Sequence, residues 1–77
     1  MKIVFSSHAV LKIEQRGLSR QDIIDTVTEP NFSRPSYGSR EELYRKFGRN
    51  YLKVVIRREN NQIAVITAHW IARLRNG

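Results

Sequence analysis

A chain of 77 residues makes one small domain, able to bury only about 60% of the surface its unfolded form exposes. It has no cysteine, which excludes disulfides and cysteine-built zinc sites, and no long apolar run, which excludes a membrane-crossing helix. Its net charge of +7 lies wholly in one half: residues 1–33 sum to zero, while residues 34–77 carry ten Lys/Arg against Glu41, Glu42 and Glu59. That asymmetry points to a docking face for a polyanion, nucleic acid above all. A high-pI protein with a merely solvated basic surface is the plain alternative. The opening Met1-Lys2-Ile3-Val4-Phe5 is too short and too quickly polar for a secretory signal, so a cytoplasmic location is expected.

In chain order, Phe5-Ser6-Ser7-His8-Ala9-Val10 reads as a helix start, with Ser6 as N-cap and Phe5 stapled to Val10. Ala9, Val10 and Ile13 repeat at helical spacing, and Gly17 ends the helix as a left-handed residue does. Leu18 to Ile23 repeats the grammar: Ser19 caps, Asp22 sits in the acid-favoured first turn, and Pro30 stops the second helix. Helices are therefore predicted over about 6–17 and 19–29, too short to stand without packing on something. Residues 31–40 read as a connecting loop with a short extended stretch at Phe32 to Arg34.

From Glu41 the period becomes two, and a sheet is predicted over about 41–69. Tyr51 to Arg58 is a strand with Leu52, Val54 and Ile56 on one face. Asn60-Asn61 suits a two-residue hairpin turn, and Gln62 to His69 returns. With Glu59 opposite Gln62, strict alternation sets Ile56 against Val65, Val55 against Ile66, Lys53 against Ala68, Leu52 against His69 and Tyr51 against Trp70. A turn at Arg49-Asn50, pairing Gly48 with Tyr51, puts Leu43 and Phe47 on the Leu52/Ile56 face. The same turn puts Tyr44 and Lys46 with Lys53 and Arg57, whereas a three-residue turn exchanges those faces; the first is preferred because it gathers the apolar residues on one side. The expected architecture is α+β: one domain over 1–77, two N-terminal helices on a curved antiparallel sheet of three to four strands.

One sheet face then presents Tyr44, Lys46, Lys53 and Arg57 among Val55, Ile66, Tyr51 and Trp70. Cations hold phosphates and flat rings stack on unpaired bases, which is what single-stranded RNA requires. Tyr44, Arg45, Tyr51, Arg58, Trp70 and Arg73 form the expected RNA-binding set. Cleavage by the RNA's own 2′-hydroxyl needs a base, an acid and cations around the phosphorane. His8, Arg16, Lys46, Lys53, Arg57 and His69 are the candidates. His8 lies where a helix dipole disfavours its protonated form, and Arg16 stands two turns further along roughly the same side. His69 closes the last strand, with a half-buried structural residue as the competing reading. Two histidines without cysteine or clustered carboxylates make a poor metal site, so neither metal nor cofactor is expected.

His8-Ala9, Arg16-Gly17-Leu18-Ser19, Ile23-Ile24 and Pro30 resemble the N-terminal signature of the domain-of-unknown-function 4258 family. Leu52-Lys53-Val54-Val55 and Ile63 to Ala68 resemble its closing strands, so the likeness spans residues 5 to 69. The resemblance implies a RelE/ParE/BrnT-like fold and kinship with toxins of toxin–antitoxin pairs, many of them metal-independent ribonucleases. It implies RNA, with the ribosome as one setting, and an acidic antitoxin as partners. The alternative is a non-catalytic nucleic-acid-binding or protein-interaction module using the same basic face.

Overall fold

The computed structural model describes residues 2–72. Seven elements follow in order: β1 (Lys2–Phe5), α1 (Ser7–Arg16), α2 (Arg20–Thr28), β2 (Phe32–Pro35), β3 (Arg40–Phe47), β4 (Asn50–Glu59) and β5 (Gln62–Ile71). The strands make one mixed sheet in the order β1-β5-β4-β3-β2, with β1 parallel to β5 and the other neighbours antiparallel.

This corrects the expected architecture. The sheet has five strands and is not purely antiparallel, and the helices follow a strand instead of leading the chain. β1 escaped the sequence reading because four residues show little alternation, and its partner lies sixty positions away, Lys2 against Gln62. Ile3 and Phe5 pack on the core from this strand. The extended stretch expected at Phe32 to Arg34 within a loop is part of a full edge strand, Phe32–Pro35, paired with β3.

The helix ends obey local rules. Ser6 accepts the Ala9 N–H at 3.0 Å and Ser19 accepts the Asp22 N–H at 3.2 Å. Gly17 closes α1 at φ 61, where the Leu18 N–H reaches the Ile13 carbonyl and the Gly17 N–H that of Glu14. Glu29 leaves helical geometry because the following Pro30 disfavours it. Both helices lie on the Leu52/Val54/Ile56 side. There Ala9, Ile13, Leu18, Ile23 and Val27 meet Leu43, Ile63, Val65 and Ala68 in one core.

The register differs from the expected one in two ways. The β3–β4 turn is Gly48-Arg49, Gly48 at φ 65, so Phe47 pairs with Asn50, Tyr44 with Lys53 and Leu43 with Val54. This offset of two keeps every side chain on its expected face. The β4–β5 ladder starts as expected, Glu59 with Gln62 through Ile56 with Val65. The next pair is Val55 with Thr67, which leaves Ile66 as a bulge. Ser6 holds the bulge, donating its N–H to the Val65 carbonyl at 3.1 Å and its hydroxyl to that of Ile66 at 3.4 Å. Beyond it Ala68 opposes Val54, His69 opposes Lys53, Trp70 opposes Leu52 and Ile71 opposes Tyr51. Strict alternation turns Thr67 and His69 towards the helices. The extra residue instead buries Ala68 and frees the imidazole from an apolar core.

Candidate functional site

The bulge decides what the sheet face away from the helices contains. His69 stands directly opposite Lys53, and Lys53 stands opposite Tyr44 on its other side. Glu42 lies diagonally between them. It accepts the Tyr44 hydroxyl at 2.8 Å and pairs with the Lys53 ammonium at 3.6 Å. The Arg16 guanidinium reaches over from the last turn of α1, donating at 2.7 Å to the carbonyl of Ala68. β1 pairs with β5 only as far as Val65, so this carbonyl lies past the end of that pairing.

The electrostatics follow from that grouping. Burial holds the His69 imidazole below its ordinary range, and the charges of Lys53 and Arg16 push the same way, with Glu42 opposing. Glu42 is held below the usual carboxylate value, chiefly by the Tyr44 hydrogen bond; burial opposes this, and Lys53 adds to the lowering. Tyr44 is pushed up to about 12, first by burial and then by its bond to Glu42. It is therefore a fixed donor and not a titrating group near neutrality. His69 is the side chain here that is biased towards a free, proton-accepting ring.

Aromatic rings flank this centre. Phe32 of β2 stacks on Tyr44 with centroids 4.6 Å apart and planes at 13°, and Tyr51 tilts against Phe32 at 5.9 Å. The Arg34 guanidinium lies 5.6 Å from the centroids of both Phe32 and Tyr44. Tyr44 itself is buried under this packing, so the rings that reach the surface are the half-buried Phe32 and Tyr51, beside the exposed Arg34 and Lys46, a set suited to a flexible polyanion with flat bases.

Residues 5–70 match the family described as Domain of unknown function (DUF4258). The chain belongs to it. No curated protein and no solved structure matches the chain.

Within this DUF4258 domain the expected site residues divide. Arg16, Lys53 and His69 converge, Tyr44 and Tyr51 border them, and Lys46 is exposed opposite Tyr51 on the same face. Arg57 shares the face but stands four positions along β4 from Lys53. Three residues expected to bind RNA lie on the helix side instead. Arg45 donates to the Glu29 carbonyl at 2.6 Å, tying down the end of α2, while its guanidinium lies 5.7 Å from the Phe47 ring centroid. Arg58 pairs with Glu41 at 2.7 Å. Trp70, carried over by the bulge, meets Phe47 edge-on at 5.7 Å. His8 is exposed on the first turn of α1, and its side chain takes part in no hydrogen bond among the described residues. Arg73 lies outside the described residues.

Phe32, Arg34 and Glu42 were not singled out from the sequence. Glu42 was legible, since it alternates with Tyr44 and Lys46. Phe32 and Arg34 were hidden by the brevity of β2. Among the described residues no group of three His, Cys, Asp or Glu could hold a metal ion, and no helix is long and apolar enough to cross a membrane.

Proposed function

We propose that this protein binds single-stranded RNA on the sheet face away from its helices and cleaves it without metal. The observation that supports this most is His69, neutral-leaning, half-buried and set opposite Lys53 with Arg16 alongside. The neutral imidazole takes the 2′-hydroxyl proton. The freed 2′-oxygen attacks the adjacent phosphorus, and the bond to the 5′-oxygen breaks, leaving a 2′,3′-cyclic phosphate. Lys53 and Arg16 balance the charge that grows on the phosphorane, and the Lys53 ammonium returns a proton to the departing 5′-oxygen. Glu42 pairs with the Lys53 ammonium and anchors it on this face. Likeness to toxins of toxin–antitoxin pairs adds a partner to the proposal: an acidic protein that neutralises the +7 chain and covers this face.

Incubation with single-stranded RNA in the presence of a chelator tests the reading. Cyclic-phosphate ends are expected, with His69→Gln slowing their formation by about 100-fold or more. Salt-sensitive binding without any scission, with or without ribosomes, would leave the non-catalytic module as the correct account.

A further inference from the structure

A second cationic position lies further along the same face. Arg40 and Arg57 stand directly opposite each other across β3 and β4. Like charges so opposed destabilise a sheet. Two ion pairs hold charges on the sheet, Lys53 with Glu42 and Arg58 with Glu41. Among the directly opposed pairs of the described strands, Arg40 and Arg57 alone set two cations against each other. Neither Arg40 nor Arg57 has a carboxylate at ion-pair distance among the described residues. Glu59, two positions from Arg57 on the same face, sits opposite Gln62 and forms no ion pair. Glu42, two positions from Arg40, is already taken by Lys53 and Tyr44.

An exposed tyrosine lies in the turn that leads into Arg40. The turn Tyr37-Gly38-Ser39-Arg40 is closed by the Arg40 N–H on the Tyr37 carbonyl at 3.1 Å, and the Ser36 N–H reaches the Arg40 carbonyl at 2.9 Å. Gly38 and Ser39 both hold φ 62, the tight two-residue geometry that matches strand twist. Tyr37 is left 92% exposed at this corner. With Pro35, Ser36 and Glu42 it lines a shallow depression opening onto the face.

We propose that Arg40 and Arg57 together hold a second phosphate of the bound strand, and that a base next to it stacks on Tyr37. The inference rests on the RNA-binding reading of this face. Arg57 stands four positions from Lys53 along β4, a distance of about 13 Å. Adjacent phosphates of one strand are closer than that. The ligand is therefore an oligonucleotide with at least one phosphate between the two anchors, and not a mononucleotide or a cyclic nucleotide.

Anisotropy with a labelled, uncleavable 2′-O-methyl hexauridylate tests this on the full chain, with uridine monophosphate as competitor. Arg40→Ala is expected to weaken hexamer binding and flatten the salt dependence of log Kd by about 0.7. Tyr37→Ala is expected to weaken it about fivefold or more with the slope unchanged. Competition by the monophosphate is expected to be poor throughout. Arg40→Ala is also expected to melt no lower than the wild type, since it relieves the Arg40–Arg57 repulsion. Wild-type binding with both variants unaltered would overturn the subsite and leave the RNA reading standing. Absence of hexamer binding by the wild type would defeat that reading itself. Hexaglutamate competing as well as RNA, with Tyr37 irrelevant, would mark an acidic-protein surface and overturn the proposal too.

Discussion

His69 shows how one side chain inherits its chemistry from its neighbours. Burial, Lys53 and Arg16 all favour its neutral form in the folded protein. As pH falls through 6.5 the unfolded chain takes up this proton first, so stability declines from that point until the folded ring is protonated as well. Glu42 acts lower. Its carboxyl is held beneath 4.5, so its contribution is present above 4.5 and is lost as pH falls through the depressed value. Thermal melts between pH 7.5 and 3 are expected to show two declines, and His69→Gln to abolish only the upper one. Persistence of the upper decline in that variant would assign it to another group. The cleavage rate is expected to rise with pH through a midpoint below 6.5, since protonated imidazole cannot accept the 2′-hydroxyl proton.

At the scale of elements, the Ile66 bulge sets which residues of β5 share a face with Lys53. Deleting Ile66 leaves Ile56 opposite Val65 and Val55 opposite Thr67, so the ladder closes with both flanking registers intact. His69 is expected to stay opposite Lys53, cleavage to survive, and stability to change by about 2 kcal/mol or less. One alanine inserted between Ala68 and His69 does the opposite. It sends the imidazole to the helix side, breaks the Phe47–Trp70 contact and is expected to abolish cleavage at a cost of about 1–3 kcal/mol. Retained cleavage in the insertion variant would show that His69 is not the base. The same bulge marks the limit of what the sequence shows. Caps at Ser6 and Ser19, the Gly17 terminus and the Asn60-Asn61 turn are local signals and read directly. An extra strand residue leaves no local signal, because Ile66 is as β-prone as its neighbours, and so His69 and Trp70 were placed on exchanged faces. Lys53 kept its face because the β3–β4 offset is even, whereas Arg45 and Arg58 follow the parity of their strands to the helix side.

For the molecule as a whole, the charge of +7 sits on a thin core, and its self-repulsion opposes compaction. Raising sodium chloride from about 0.02 to 0.5 M shortens the screening length from roughly 20 Å to below 5 Å. The melting temperature is expected to rise by about 2–5 °C over that range. RNA affinity is expected to fall over the same range, since binding neutralises phosphates and releases counterions. A melting temperature that is flat or falling with salt would mean that Lys53–Glu42 and Arg58–Glu41 matter more to stability than the net repulsion.

The parallel pairing of β1 with β5 has a consequence in time. Ile3 and Phe5 are synthesised well before the strand that covers their edge, residues 62–65, which comes sixty positions later. Such a long-range contact closes late in folding. The emerging chain therefore holds two capped helices and an incomplete core until β5 is free of the exit tunnel. His69 arrives on that same strand, so the proposed base, Lys53 and Arg16 come together only when the sheet is finished. A prematurely terminated chain carries the positive charge of β3 and β4 but lacks the imidazole on which the proposed cleavage depends.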